Sequence, residues 1–124
     1  MTIEEFTPKH KFLICIDSDG CAVDSMTIKH KKAFGRALIE TWHLEDYKDK
    51  VMAEWERINL YSMTRGINRF LGLNMALNYI NQNIKPIDGL ADLTKFIETA
   101  KSYSNNALEE YIKYERGSKE FRKI

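Results

Sequence analysis

The stretch FLICIDSDGCAVDS, residues 12–25, decides how the rest of the chain is read. A run of large apolar residues, Phe12 to Ile16, goes straight into Asp17-Ser18-Asp19-Gly20. A continuous apolar run bounded by turn residues has the pattern of a strand buried on both faces, as in the middle of a parallel sheet. The expectation is a strand over 11–17. An aspartate at the carboxyl end of such a strand stands at the rim of the sheet, where open α/β sheets hold their ligands. In extended backbone residues i and i+2 point the same way, so Asp17 and Asp19 would face one bound group. Gly20 lets the chain turn sharply and approach that group closely. Two adjacent carboxylates repel, so the pair calls for a cation or a shared proton, and Mg²⁺ is the natural oxygen-liganded partner.

Everything after Ser25 reads as helix. His30, Ala33, Phe34, Ala37, Leu38, Thr41 and Trp42 recur at i, i+3, i+4 and predict a helix over about 26–42. Tyr47, Val51, Trp55 and Ile58 predict a second over roughly 45–61, with Lys48, Asp49, Glu54 and Glu56 on its wet side. Residues 62–66 break the rhythm, and a third helix is expected over about 67–81. Asn81-Gln82-Asn83 and Lys85-Pro86 signal a turn. Leu90, Leu93, Ile97 and Ala100 carry a fourth helix, and Ala107, Leu108, Tyr111 and Ile112 a fifth. Gly117 reads as the stop of that fifth helix and Ser118 as the cap of one more. One strand buried on both faces cannot make a sheet, because its backbone groups need neighbours. The expectation is that the missing strands lie in a longer protein or in another chain.

Composition bounds the function. The chain has 124 residues, 44% hydrophobic and 30% charged, which suits one small globular domain. A formal net charge of +1 gives no pull toward nucleic acid or an anionic membrane. No apolar run approaches the ~20 residues needed to span a bilayer. The start, MTIEEFTPKHK, lacks the apolar core of a secretory signal. Only two cysteines, Cys15 and Cys21, are present, and both are expected as free thiols in a reducing cytoplasm.

With these residues in view, Asp17-Ser18-Asp19-Gly20-Cys21-Ala22-Val23-Asp24-Ser25 resembles the first motif, DxDGxxxDS, of the haloacid dehalogenase-like (HAD) hydrolases. The nearest flavour is the branch of phosphoglycolate phosphatase and β-phosphoglucomutase, where a helical cap follows the first strand. The resemblance implies an α/β HAD-like fold: a Rossmann-like core with a helical cap. Residues 1–25 would be the first core strand and catalytic loop, and residues 26–124 the cap; the remainder of the core would lie beyond residue 124. It further implies that Asp17 is the nucleophile, forming an aspartyl-phosphate, and Asp19 the general acid/base. Mg²⁺ would be held by the Asp17 side chain and the Asp19 backbone carbonyl, and Asp24 and Ser25 would form the hinge into the cap. Cys21 departs from the commoner threonine or valine. The implied activity is Mg²⁺-dependent hydrolysis of a small phosphorylated metabolite, a phosphomonoester, with mutase chemistry as a variant. Calcium loops also open with DxDG, but Val23, Ser25 and Ile28 do not supply their later acidic ligands.

Two arginines flank the break at Gly66. Arg65 and Arg69 would clamp an anionic or hydroxylated leaving group over Gly20 and the aspartates; the alternative is that they cap helix carbonyls or sit in solvent. Lys29, Lys31, Lys32 and Arg36 form a basic cluster that reads first as a solvated helix face. His10, His30 and His43 show no metal spacing, and His30 on the apolar stripe reads as a packed histidine. Trp42, Trp55 and Phe70 read as core of the helical part rather than a ligand-stacking platform. The rival to an enzyme is a non-catalytic helical interaction module, or a relative without its core that only binds a partner.

Overall fold

The computed structural model describes residue 5 and residues 7–114. Among the described residues five helical stretches, α1 to α5, follow a lead-in over 7–24 that forms no helix or strand. Helix α1 spans 25–42, as an α-helical turn Ser25–Ile28, a π-helical segment Lys29–Phe34 and an α-helix Gly35–Trp42. It stops at His43, which takes a left-handed conformation (φ 53°), unusual for a residue with a Cβ. The amides of His43 and Leu44 both turn back to the Ile39 carbonyl, and Leu44 plunges into the core behind them.

Helix α2 spans 45–61, from a 3-10 turn Glu45–Tyr47 through Lys48–Glu56 to a π-helical end Arg57–Tyr61. Helix α3 is Arg69–Asn83, opened by Asn68, whose side-chain oxygen accepts from the Phe70 amide at 2.9 Å. Helix α4 is Leu90–Thr99 and α5 is Asn105–Tyr114, with Ser104 Oγ accepting from the Ala107 amide at the start of α5. These helices agree in number, order and position with the periodicity of the sequence. The helix stop expected at Gly117 and the cap expected at Ser118 lie outside the described residues.

The apolar stripes converge on one core, except on α1: of the expected stripe His30 and Leu38 are buried, but Ala33, Phe34, Ala37 and Thr41 are exposed, and Gly35 and Ile39 are buried in their place. Leu38 and Leu44, Val51, Trp55 and Ile58, Phe70, Leu77 and Ile80, and Leu93 and Phe96 are buried together. Tyr111 of α5 closes it edge-on against Phe96 at 5.4 Å, and Phe96 meets Phe70 at 5.5 Å. Each such side chain contributes on the order of 1.5–3 kcal/mol by leaving water. The α1–α2 crossing is tight at Gly35, where an added Cβ would lie 2.6 Å from Met52 Sδ and 2.8 Å from the His30 carbonyl. That carbonyl also accepts from the Trp55 indole at 3.1 Å, which locks α2 to the π-helical segment. Lys85 Nζ binds the carbonyls of Trp42 and His43, satisfying the carboxyl end of α1.

The strand expected over 11–17 is not there. No strand occurs among the described residues, and one isolated bridge joins Asp19 to Val23. Phe12, Leu13, Ile14 and Ile16 are not buried on two faces but 73–83% exposed. The reason is the one the sequence raised: a strand without neighbours has no ladder to pair with, so its amides and carbonyls stay hydrated and no strand forms. Cys15 and Cys21 are free thiols, and both are exposed. Among the described residues no helix is long and apolar enough to cross a membrane.

Candidate functional site

The loop 17–25 folds on itself through its own backbone. Ala22 N–H donates to the Asp17 carbonyl, Val23 N–H to the Ser18 carbonyl at 3.0 Å, and Gly20 N–H to the Val23 carbonyl at 2.9 Å. Gly20 sits at φ 75°, the left-handed region where a Cβ is strained. The turn aims the Asp19 side chain at the first turns of α1. Ser25 Oγ donates to Asp19 Oδ1 at 2.7 Å, and Lys29 Nζ to Oδ2 at 2.6 Å. Ser25 and Lys29 are four apart on one helix face, so both oxygens of one carboxylate are engaged from successive turns. The hydrogen bond from Lys29, then that from Ser25 and the charge of Lys29, hold the Asp19 carboxyl below its ordinary range.

Asp17 and Asp19 open onto a cleft of 760 Å³. Gly20 lines it beside them, Arg65 lines it from the connection between α2 and α3, and Arg69 from the first residue of α3. The residues singled out in the sequence from two distant segments are thus brought to one cavity. Asp24 and Ser25, expected as a hinge, stand at the entry to α1; Asp24 makes no side-chain cap there. Each arginine also has a structural bond. Arg65 Nη1 donates to the Leu60 carbonyl at 3.0 Å, which is the helix-end role weighed as the alternative. Arg69 Nη2 donates to Asn105 Oδ1 at 2.6 Å, with its guanidinium 5.1 Å from the Phe70 ring centroid. Arginine has five N–H donors, so both keep donors for a ligand.

Several lining residues were missed as site residues. Lys29 was read as part of a solvated basic face; its neighbours Lys31 and Arg36 do pair on that face, with Glu56 and Glu40. Lys29 instead serves Asp19. The spacing from Ser25 to Lys29, read as one helix turn after the loop, carried that signal. Tyr103 and Ser104 also line the cleft, and nothing in the local sequence marks them. His30 is packed as expected, 7% exposed, against the rings of Phe34 at 5.4 Å and Trp55 at 5.6 Å. Its Nδ1 is buried with no hydrogen-bond partner. Burial first, then the charges of Lys29 and Arg65, lower its pKa and so favour the neutral imidazole.

The donors for a cation are few. Among the described residues no three His, Cys, Asp or Glu side chains cluster as a metal site. The Asp17 carboxylate has no hydrogen-bond or ion-pair partner among the described residues, whereas that of Asp19 is held by Lys29. Mg²⁺ commonly takes one or two carboxylates and fills the rest of its shell with water and phosphate, and the Asp17 carboxylate is the acidic group on the cleft that Lys29 does not engage. No protein-family model, curated protein or solved structure matches the chain.

Proposed function

We propose that the chain carries the nucleophile and acid/base half of a HAD-like phosphotransferase that hydrolyses a small phosphomonoester. The observation that carries this reading is the meeting of Asp17, Asp19, Arg65 and Arg69 on one cleft from segments some fifty residues apart. In the first step an Asp17 oxygen bonds to phosphorus as the bond to the leaving oxygen breaks, and Asp19 gives that oxygen its proton. In the second, Asp19 takes a proton from water, the water oxygen attacks phosphorus, and the bond to Asp17 breaks. The Lys29 ammonium favours the ionised, proton-accepting form of Asp19, which suits the second step. A proton placed on Asp19 costs it the pairing with Lys29 and is readily surrendered to a departing oxygen. Ser25 fixes the carboxylate's orientation throughout. Arg65 and Arg69 hold the leaving group away from the phosphorus. Mg²⁺, bound by Asp17 and the Asp19 carbonyl, would neutralise charge on the transferring group.

A second reading has one observation in its favour. Phe12, Leu13, Ile14 and Ile16 form an exposed apolar segment of residues that favour strands, which suits pairing with the edge of another sheet. In the enzyme reading that sheet is the rest of the core; in the rival, a binding partner is all there is. The two separate on Asp17→Asn, assayed in the longest translated form of the chain with a generic phosphomonoester and excess Mg²⁺. Loss of turnover with partner binding intact supports the enzyme. Absence of turnover in the unaltered protein, with tight partner binding, supports the module.

A further inference from the structure

A second cavity adjoins the cleft. It has a volume of 250 Å³, and Phe34 and Arg69 line both. Its wall on α1 is Phe34, Ala37 and Thr41, spaced at i, i+3, i+7 on one helix face. Leu73 of α3 faces them, and Trp42 and Trp55 lie among the remaining lining residues. The pocket is therefore mostly aromatic and aliphatic, with the hydrogen-bonded pair Arg69–Asn105 as its main polar element. A concave apolar pocket with a few fixed polar groups is the usual form of a small-molecule site. Phe34 ends the π-helical segment of α1, which also carries Lys29 and His30 into the cleft. Segments of that kind inside α-helices concentrate at functional sites.

We propose that this pocket is the subsite for an apolar part of the leaving alcohol, so that the substrate is a phosphate monoester bearing a short alkyl or aryl group. The proposal rests on the phosphomonoester reading above. The phosphate lies by Asp17 and Asp19, Arg69 spans the junction, and the apolar group passes Phe34 toward Trp55.

The chain provides its own probe, because its two tryptophans, Trp42 and Trp55, both line the pocket. Tryptophan emission of the 124-residue protein is titrated with methyl, butyl, hexyl and dodecyl phosphate, and with the matching alcohols. Affinity is expected to rise about fourfold per added methylene, the equivalent of ~0.8 kcal/mol, and to level off once the pocket is full. Ala37→Leu, an exposed helix position on the pocket wall, is expected to flatten the dependence and leave methyl phosphate unaffected. Affinity independent of chain length, or a slope that survives Ala37→Leu, overturns the proposal. A slope that Ala37→Leu removes upholds the pocket even where alcohols bind the 124-residue protein as tightly as phosphates; the phosphate reading fails separately, if the longest translated form shows the same slope and turns over none of the phosphates.

Discussion

Lys29 and Asp19 form the pairing on which the loop turns, and it can be tested alone. The ammonium of Lys29 is the largest cause of the low Asp19 carboxyl. Lys29→Met is therefore expected to move that group up toward the ordinary aspartate value of about 3.9, as followed by carboxyl-carbon NMR. An unchanged titration would mean the 2.6 Å contact is not made in solution. His30 gives a second test, with the opposite chemistry. Its folded pKa lies below the usual histidine value, so between the two the unfolded chain binds a proton that the folded chain refuses. Stability from this group is complete above about pH 6.5 and is lost as pH falls through the folded value, by at most about 1.4 kcal/mol per pH unit. His30→Phe is expected to remove that dependence in denaturant titrations. Equal pH slopes in both proteins would show that His30 titrates freely.

At the level of elements, the crossing of α1 and α2 sets where Lys29, His30 and Phe34 stand. Gly35 has no room for a Cβ beside Met52 and the His30 carbonyl. Helix propensity alone would make Gly35→Ala stabilising by about 1 kcal/mol. Overpacking is expected to win and to cost about 1–3 kcal/mol in urea unfolding. A stabilised variant would mean that the π-helical segment relaxes freely and does not fix the cleft. Leu77, fully buried in α3, is expected to cost about 2–5 kcal/mol when replaced by alanine. The helices were legible because their stripes are long: Val51, Trp55 and Ile58 repeat with the helical period and are buried as that period requires. The π-helical segments were not: the extra residue in the turn shifts the phase of α1, so Gly35 and Ile39 are buried where the regular period expected Ala37 and Thr41. Strand 11–17 failed for a different reason. Its residues prefer extended backbone, but a strand is a pairing and no neighbour is among the described residues.

For the whole molecule, Asp17, Asp19, Arg65 and Arg69 could be picked from the sequence by residue type and spacing, and all four line one cleft. Their partners could not. Tyr103 and Ser104 reach the same cleft only because α5 packs back across α4 and α3, a consequence of the core as a whole. The described residues gather two aspartates and two arginines, whereas phosphoryl transfer draws most of its acceleration from groups that hold and neutralise the phosphate oxygens. The 124-residue chain alone is therefore expected to show no measurable phosphatase activity and to bind Mg²⁺ weakly; metal-dependent turnover by it, lost in Asp17→Asn, would contradict this. The central claim is that Asp17 takes the phosphoryl group. It is tested most directly by acid-quenching the longest translated form during turnover and mapping the phosphoryl group by peptide mass spectrometry. The account predicts an acid-stable, hydroxylamine-labile phosphoryl group on Asp17, absent from Asp17→Asn. Sustained turnover with no adduct, or an adduct on another residue, would contradict it.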